Sequence, residues 1–245
     1  VVVVAEHEEH IGVIERVREL AEGRTPVIAG TGSNSTAEAL RLSKEAEAAG
    51  ADALLLVAPY YNKPNQEGLY LHFSAVAEAT ELPILLYSIP SRCGIEIAVD
   101  TVARLYEKYP HICGIKEAGG SCDRVAALTR AVGPEFAVTS GDDALTLPFL
   151  SLGATGVVSV ASNVCVSPIR EMVQSAASDP RKAREIFQQL SPLFAALFVE
   201  PNPVPVKFAL AELGVIKSPE ARLPLAPISE PTKDLIRGVL SSLKQ

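Results

Sequence analysis

The residue in this chain best placed to do chemistry is the lysine in His111-Ile-Cys-Gly-Ile-Lys-Glu-Ala118. Ile112 and Ile115 supply β-branched bulk, and Gly119-Gly120 supplies a turn, so the segment reads as a short strand ending just after Lys116. A buried ammonium is expensive, and loss of its proton relieves the penalty. The neutral amine that results is a nucleophile, and with a carbonyl compound it forms a Schiff base. The competing reading is a lysine that snorkels out of the strand end or pairs with Glu117. Thr31, Tyr60, Tyr61, Tyr87, Arg92 and Asp142 also fall just after strand-like segments, where a parallel sheet gathers its functional groups.

The elements that must position these residues follow from hydrophobic spacing. A helix is predicted over 7–22, with Ile11, Ile14, Val17 and Leu20 on its apolar face. Strands are predicted at 25–30, 51–58, 82–87, 111–116, 135–139 and 156–160. Helices are predicted between them at 35–50, 68–79, 99–109, 121–132 and 144–152, and residues 59–64 and 88–94 read as loops. Ser35 and Glu38 have the spacing of a capping box, and Gly50 is that helix's stop. Val1 to Val4 has the composition of a strand. From about Ser167 onward the pattern is helical, broken at Pro201-Asn202-Pro203. Short apolar strands alternating with amphipathic helices predict a parallel sheet covered by helices, of the (β/α) barrel type, with a doubly wound open sheet as the alternative. The expected division is an incomplete barrel over 1–166 and a packed helical region over 167–245.

Composition removes several classes of function. The chain has 245 residues, 48% of them hydrophobic, which suffices for a large core. Its net charge of -7, with no basic stripe, argues against nucleic acid. Val1 to Val4 is too short for a membrane span or signal peptide. Cys93, Cys113, Cys122 and Cys165 have no C-x-x-C spacing and read as reduced thiols of a cytoplasmic protein. His7 and His10, beside Glu6 and Glu9, read as a solvated helix start rather than a metal site. Gly30-Thr-Gly32 falls short of a dinucleotide fingerprint. Asp142 reads as a helix N-cap and Lys207 as a structural pairing lysine.

Several motifs occur in one order: Ala58-Pro-Tyr-Tyr-Asn-Lys-Pro64 with Gln66-Glu-Gly-Leu-Tyr70, Leu86-Tyr-Ser-Ile-Pro-Ser-Arg-Cys-Gly94, Gly114-Ile-Lys-Glu-Ala118, Ser140-Gly-Asp-Asp143, Gly156-Val-Val-Ser-Val160 and Asn202-Pro-Val-Pro-Val-Lys207. In this the chain resembles the dihydrodipicolinate synthase and N-acetylneuraminate lyase superfamily of pyruvate-dependent aldolases, from His7 onward. Arg92 favours the synthase side. The resemblance implies a TIM-type (β/α) barrel and a Schiff base between Lys116 and pyruvate, with no separate cofactor or metal. It implies that Tyr87 relays protons, that Tyr61 joins the relay across a subunit interface, and that Arg92 holds the carboxylate of a second substrate, aspartate semialdehyde. The backbones around Gly141 and Val158 would line the pyruvate pocket. A lysine regulatory site would correspond to His7, His10, Asn34, Glu38 and Tyr60.

The chain also departs from the pattern. The family places two βα units before the helix near His7, and its second strand ends in Gly-Thr-Thr-Gly-Glu, whose threonines bind the pyruvate carboxylate. That motif is absent here. The expectation is therefore a barrel truncated to about six βα units and a homodimer or larger homo-oligomer that covers the open strand edges. Turnover is expected to be weakened. The alternatives are a paralogue kept for binding or structure, or an aldolase for another keto acid and aldehyde pair.

Overall fold

In a computed structural model of the protein, which describes residues 5–243, six strands form one parallel sheet in the linear order β1 to β6. The strands are β1 (Ile28–Gly30), β2 (Ala53–Val57), β3 (Ile84–Ser88), β4 (Ile112–Glu117), β5 (Ala137–Ser140) and β6 (Gly156–Val157). Helices α1 (His7–Ala21), α2 (Thr36–Ala48), α3 (Gln66–Ala77), α5 (Val99–Lys108), α6 (Cys122–Val132) and α7 (Thr146–Ser151) alternate with them. A short helical turn, α4 (Pro90–Cys93), follows β3. Then come α8 (Ser162–Ser178), α9 (Pro180–Ala196), α10 (Val204–Glu212) and α11 (Glu230–Leu243). The reading of Val1 to Val4 as a strand lies outside the described residues.

The helices start where small polar residues can satisfy free backbone donors. Ser35, Asn65 and Ser121 accept from the amides of Glu38, Gly68 and Arg124 at the starts of α2, α3 and α6. The sheet core is aliphatic, with Leu54, Leu56, Ile84, Leu86, Ile112 and Ile115 fully buried. A second buried cluster gathers Ala161, Ile169, Leu193, Phe194, Phe208 and Ile236 from α8 to α11. Helix α8 runs across residues 166 and 167 and has non-helical backbone at Cys165.

Three local expectations need correction. Residues 88–94 are not irregular: Pro90 has no amide to lose and its ring presets φ, so it opens the turn α4, which Gly94 ends at φ 75°. The last strand stops at Val157, because the amides of Val160 and Ala161 turn to the Asp143 carboxylate, both at 3.0 Å. The apolar face of α1 is largely bare. Ile14 is buried, but Val17 and Leu20 are 46% and 54% exposed. In the described chain α1 packs on α2, and Ile28 on the edge strand β1 is exposed as well. A groove lined by Gly156, Val157, Ser162, Val166 and Ile169 runs beside the opposite edge strand, β6. Among the described residues these apolar faces lie exposed beside the two edge strands of the sheet.

Candidate active site

Lys116 sits on β4 with Tyr87 of β3 and Thr139 of β5 as its register partners. Strand alternation turns Lys116 to one face of the sheet and Glu117 to the other. The Lys116 Nζ lies 3.9 Å from the centre of the Tyr87 ring. Burial, then the charge of Arg92, pull the lysine down to about 8, while Asp143 opposes them. Burial pushes the Tyr87 phenol up to about 12, so near neutral pH it keeps its proton and can donate it.

The competing pairing of Lys116 with Glu117 is not what the structure shows. The Glu117 carboxylate, at 0% exposure, accepts from Arg124 Nε at 2.8 Å and from the Gly119 amide at 2.6 Å. Among the described residues Lys116 therefore makes no ion pair with its neighbour Glu117.

Gly141 is packed against the lysine. A Cβ there would meet Ala118 Cβ at 2.7 Å and Lys116 Cε at 3.1 Å, so no larger residue fits without displacing Ala118 or the lysine. Its amide donates to the Glu117 carbonyl at 2.7 Å, and the Val158 amide donates to the Ser140 carbonyl at 2.8 Å. These two bonds carry the β4–β5 and β5–β6 pairings past the strand ends and bring both predicted lining residues to the same end of the sheet. Arg92 is exposed on α4 and donates to the Asn202 carbonyl at 3.4 Å. Asp142 is an N-cap as expected, accepting from Ala144 at 2.8 Å.

Tyr61 lies in the loop between β2 and α3. It is 90% exposed, with φ 73°, and Tyr60 beside it is also exposed. The residues expected to bind lysine divide into two sets. Asn34 lies by the tyrosine loop, its carbonyl accepting from Asn62 at 2.9 Å, and Glu38 accepts from Ser33 at 2.5 Å. His7 bonds to Glu45 at 2.5 Å, and His10 to the Gly30 carbonyl at 2.8 Å. Lys207 donates to the Glu220 carbonyl, in keeping with a structural role.

Sequence reasoning missed Asp143 and Arg124. Asp143 was indistinguishable from its neighbour Asp142 until the fold placed the amides of Val160 and Ala161 over it. Arg124 stands in the first turn of a helix, where an arginine is ordinarily solvated, and the available signal was a carboxylate in a near-continuous apolar strand needing a partner.

The family model for the dihydrodipicolinate synthetase family matches residues 3–243. The chain belongs to this family. It is accordingly an enzyme, of the lyase class. Over 238 residues it is 50% identical to 4-hydroxy-tetrahydrodipicolinate synthase of Methanopyrus kandleri, covering 97% of this chain and 79% of the relative. The synthase structure from Methylacidiphilum fumariolicum SolV superposes with a TM-score of 0.96 at 56% identity, covering 98% of this chain and 80% of that one. The Acinetobacter baumannii synthase complexed with pyruvate gives 0.94 at 45% identity, with 98% and 82% covered. A structure described as the first monomeric dihydrodipicolinate synthase variant gives 0.96 at 40%, with 98% and 81% covered.

Proposed function

We propose that the chain condenses pyruvate with aspartate semialdehyde through a Schiff base on Lys116, the step that commits carbon to lysine and diaminopimelate biosynthesis. The observation that carries this reading is the Lys116 amine, depressed to about 8 and set 3.9 Å from the Tyr87 ring, in a chain of this family. The neutral amine adds to the keto carbon of pyruvate, and water leaves to give the imine. The protonated imine draws electrons, so a proton leaves the methyl carbon and an enamine forms. The enamine carbon then bonds to the aldehyde carbon, and the aldehyde oxygen takes up a proton. Tyr87, neutral and half-buried, is the proton carrier in this reading. Arg92, exposed at the mouth, forks onto the carboxylate of the second substrate. The backbones at Gly141 and Val158 line the pyruvate pocket. The imine is formed by the chain's own lysine, so no further cofactor enters the step.

Tyr61 is supplied to the relay by a second copy in this reading, supported by its exposure. A homo-oligomer in the cytoplasm belongs to the same proposal, as does the division into a sheet region and a helical region, which follows the two buried clusters. The described residues carry six strands in linear order, against the eight of a closed barrel of this type. A weakened or non-catalytic paralogue gains no support from the comparisons, and the synthase reaction is the reading adopted. Lysine binding near Asn34, Glu38 and Tyr60, with His7 and His10, stays a subsidiary proposal.

Borohydride reduction in the presence of pyruvate, followed by peptide mass analysis, tests the central claim. An adduct on Lys116 is expected, and its absence would sink the reading. Coupled turnover with aspartate semialdehyde tests the second substrate. Arg92→Ala should keep the pyruvate adduct and lose condensation.

A further inference from the structure

Behind the lysine, on the other face of β4, lies a buried ion pair that the proposed chemistry does not use. Glu117 accepts from Arg124 Nε at 2.8 Å. The same guanidinium donates from Nη2 to the Ile97 carbonyl at 2.5 Å and from Nη1 to Glu96 at 3.2 Å. The Glu117 carboxylate also holds the Gly119 amide at 2.6 Å. A Cβ on Gly119 would lie 3.7 Å from Pro90 Cδ, so this turn rests on the start of α4. Two further bonds join the same pieces: the Ala118 amide donates to the Ser88 carbonyl at 2.9 Å, and the Ile97 amide to Ser88 Oγ at 3.4 Å. Arg92 lies between Ser88 and Ile97. The segment that carries it is therefore pinned at both ends to the strand end that carries Lys116.

We infer that Glu117 and Arg124 are positioning residues that set the separation of Arg92 from Lys116, and through that separation the readiness of the lysine to react. The pairing is specific to this task in its geometry. One planar fork spans a side-chain carboxylate and a loop carbonyl from separate nitrogens at a fixed spacing, which a lysine's single nitrogen does not reproduce. Its effect on the amine follows from charge. A cation held near Lys116 disfavours the ammonium form, and a cation that retreats lets the proton return. The charged and titratable groups facing Lys116 are Tyr87 from β3, Arg92 from α4 and Asp143 from the 3-10 turn (Asp143–Leu145) after β5. Glu117, Arg124 and Glu96 stand behind the strand. The inference rests on Lys116 as the nucleophile of the proposed reaction, and its test does not need pyruvate.

The test is competitive labelling of Lys116 with acetic anhydride across pH, read by peptide mass, on the wild type and on Glu117→Gln/Arg124→Gln. The double variant removes one charge of each sign, so the net charge behind the strand is unchanged. Its labelling midpoint is expected to rise to that of Arg92→Ala, and adding Arg92→Ala to it should give no further rise. A lowered melting temperature with an unmoved midpoint would show a merely structural pair and overturn the inference. So would additive shifts with Arg92→Ala. If the double variant fails to fold, Arg124→Lys, which keeps the charge and loses the fork, carries the same test with the same sign expected. Borohydride trapping on the wild type is run in parallel. Its failure would remove the functional reading while the labelling result still decides whether the pair sets the lysine.

Discussion

Two adjacent charged residues, Lys116 and Glu117, share one strand end and meet opposite fates. Lys116 faces the mouth of the sheet, makes no ion pair with Glu117, and is drawn down to about 8. Glu117 faces the interior, is fully buried, and is held by a guanidinium and a backbone amide. Burial alone would neutralise both. Burial does raise Glu117 above the usual carboxylate range, while Arg124 and the Gly119 amide pull against it. The difference teaches that the strand end is built to leave one ionisable group unmatched and to match the next. The unmatched one can react; the matched one holds the frame in which it reacts.

The largest expected effect comes from removing the unmatched group. Lys116→Met should abolish the borohydride-trapped pyruvate adduct and yet stabilise the fold. In the folded state the lysine releases its proton near 8, and in the unfolded chain near 10.5. Between those values the unfolded chain binds more protons, so wild-type stability rises with pH across the window. Below about 8 the folded protein carries a desolvated ammonium in full. The variant's advantage should therefore be greatest below that pH, at most about 3 kcal/mol, and should fade above 10.5. Thermal melts at pH 6.5 and pH 10.5 check the sign. An adduct that survives in the variant would break the comparison at its first term.

Removing one member of the matched pair should do the opposite. Glu117→Gln removes the buried carboxylate at 2.8 Å and leaves the Arg124 guanidinium only the part-exposed Glu96 at 3.2 Å, and breaking a buried pair destabilises by about 3–5 kcal/mol. Chemical denaturation measures it. A loss below 1 kcal/mol would mean that the existing bond to Glu96 suffices for Arg124, and the frame would then depend less on Glu117 than the hydrogen bonds imply.

Gly141→Ala should act more narrowly. The added Cβ would press on Ala118 Cβ and Lys116 Cε, at 2.7 and 3.1 Å. The fold has to give by several tenths of an ångström at Ala118 and Lys116, so trapping should slow about tenfold or more, with about 1–3 kcal/mol lost in stability. Wild-type trapping kinetics in the alanine variant would show that the close contact is not needed for alignment.

Much of this contrast could be read from sequence. Period and punctuation gave the strands because each was short, apolar and closed by Gly, Pro or Asn. Lys116 stood out because a charge interrupted such a run. What could not be read was pairing across long separations. Glu117 meets Ile97 and Glu96 only through Arg124, and nothing local says that this arginine points inward. The bare flank of α1 was equally hidden: its spacing is that of a buried face, and spacing does not say whether a neighbour is there. Asp142 was read correctly because an N-cap is a local event, whereas Asp143 next to it acts on Val160 and Ala161 across the sheet.

The smallest expected effect is also the sharpest in sign. Arg92 is exposed and lowers the lysine; Asp143 is buried and raises it. Arg92→Ala should move the midpoint of Lys116 labelling upward, and Asp143→Asn should move it downward, each by roughly half a pH unit. The isosteric asparagine can still accept from the amides of Val160 and Ala161 through its one carbonyl oxygen, so the turn is kept while the charge is lost. Salt separates the two further. An exposed charge is screened within about 8 Å at physiological ionic strength, and a buried one is screened much less. Raising the salt concentration should therefore carry the wild-type midpoint toward that of Arg92→Ala and leave the Asp143→Asn difference nearly intact. Shifts of the same sign in both variants would mean that the lysine responds to loosened packing rather than to the two charges. The unmatched state of Lys116 would then rest on burial alone.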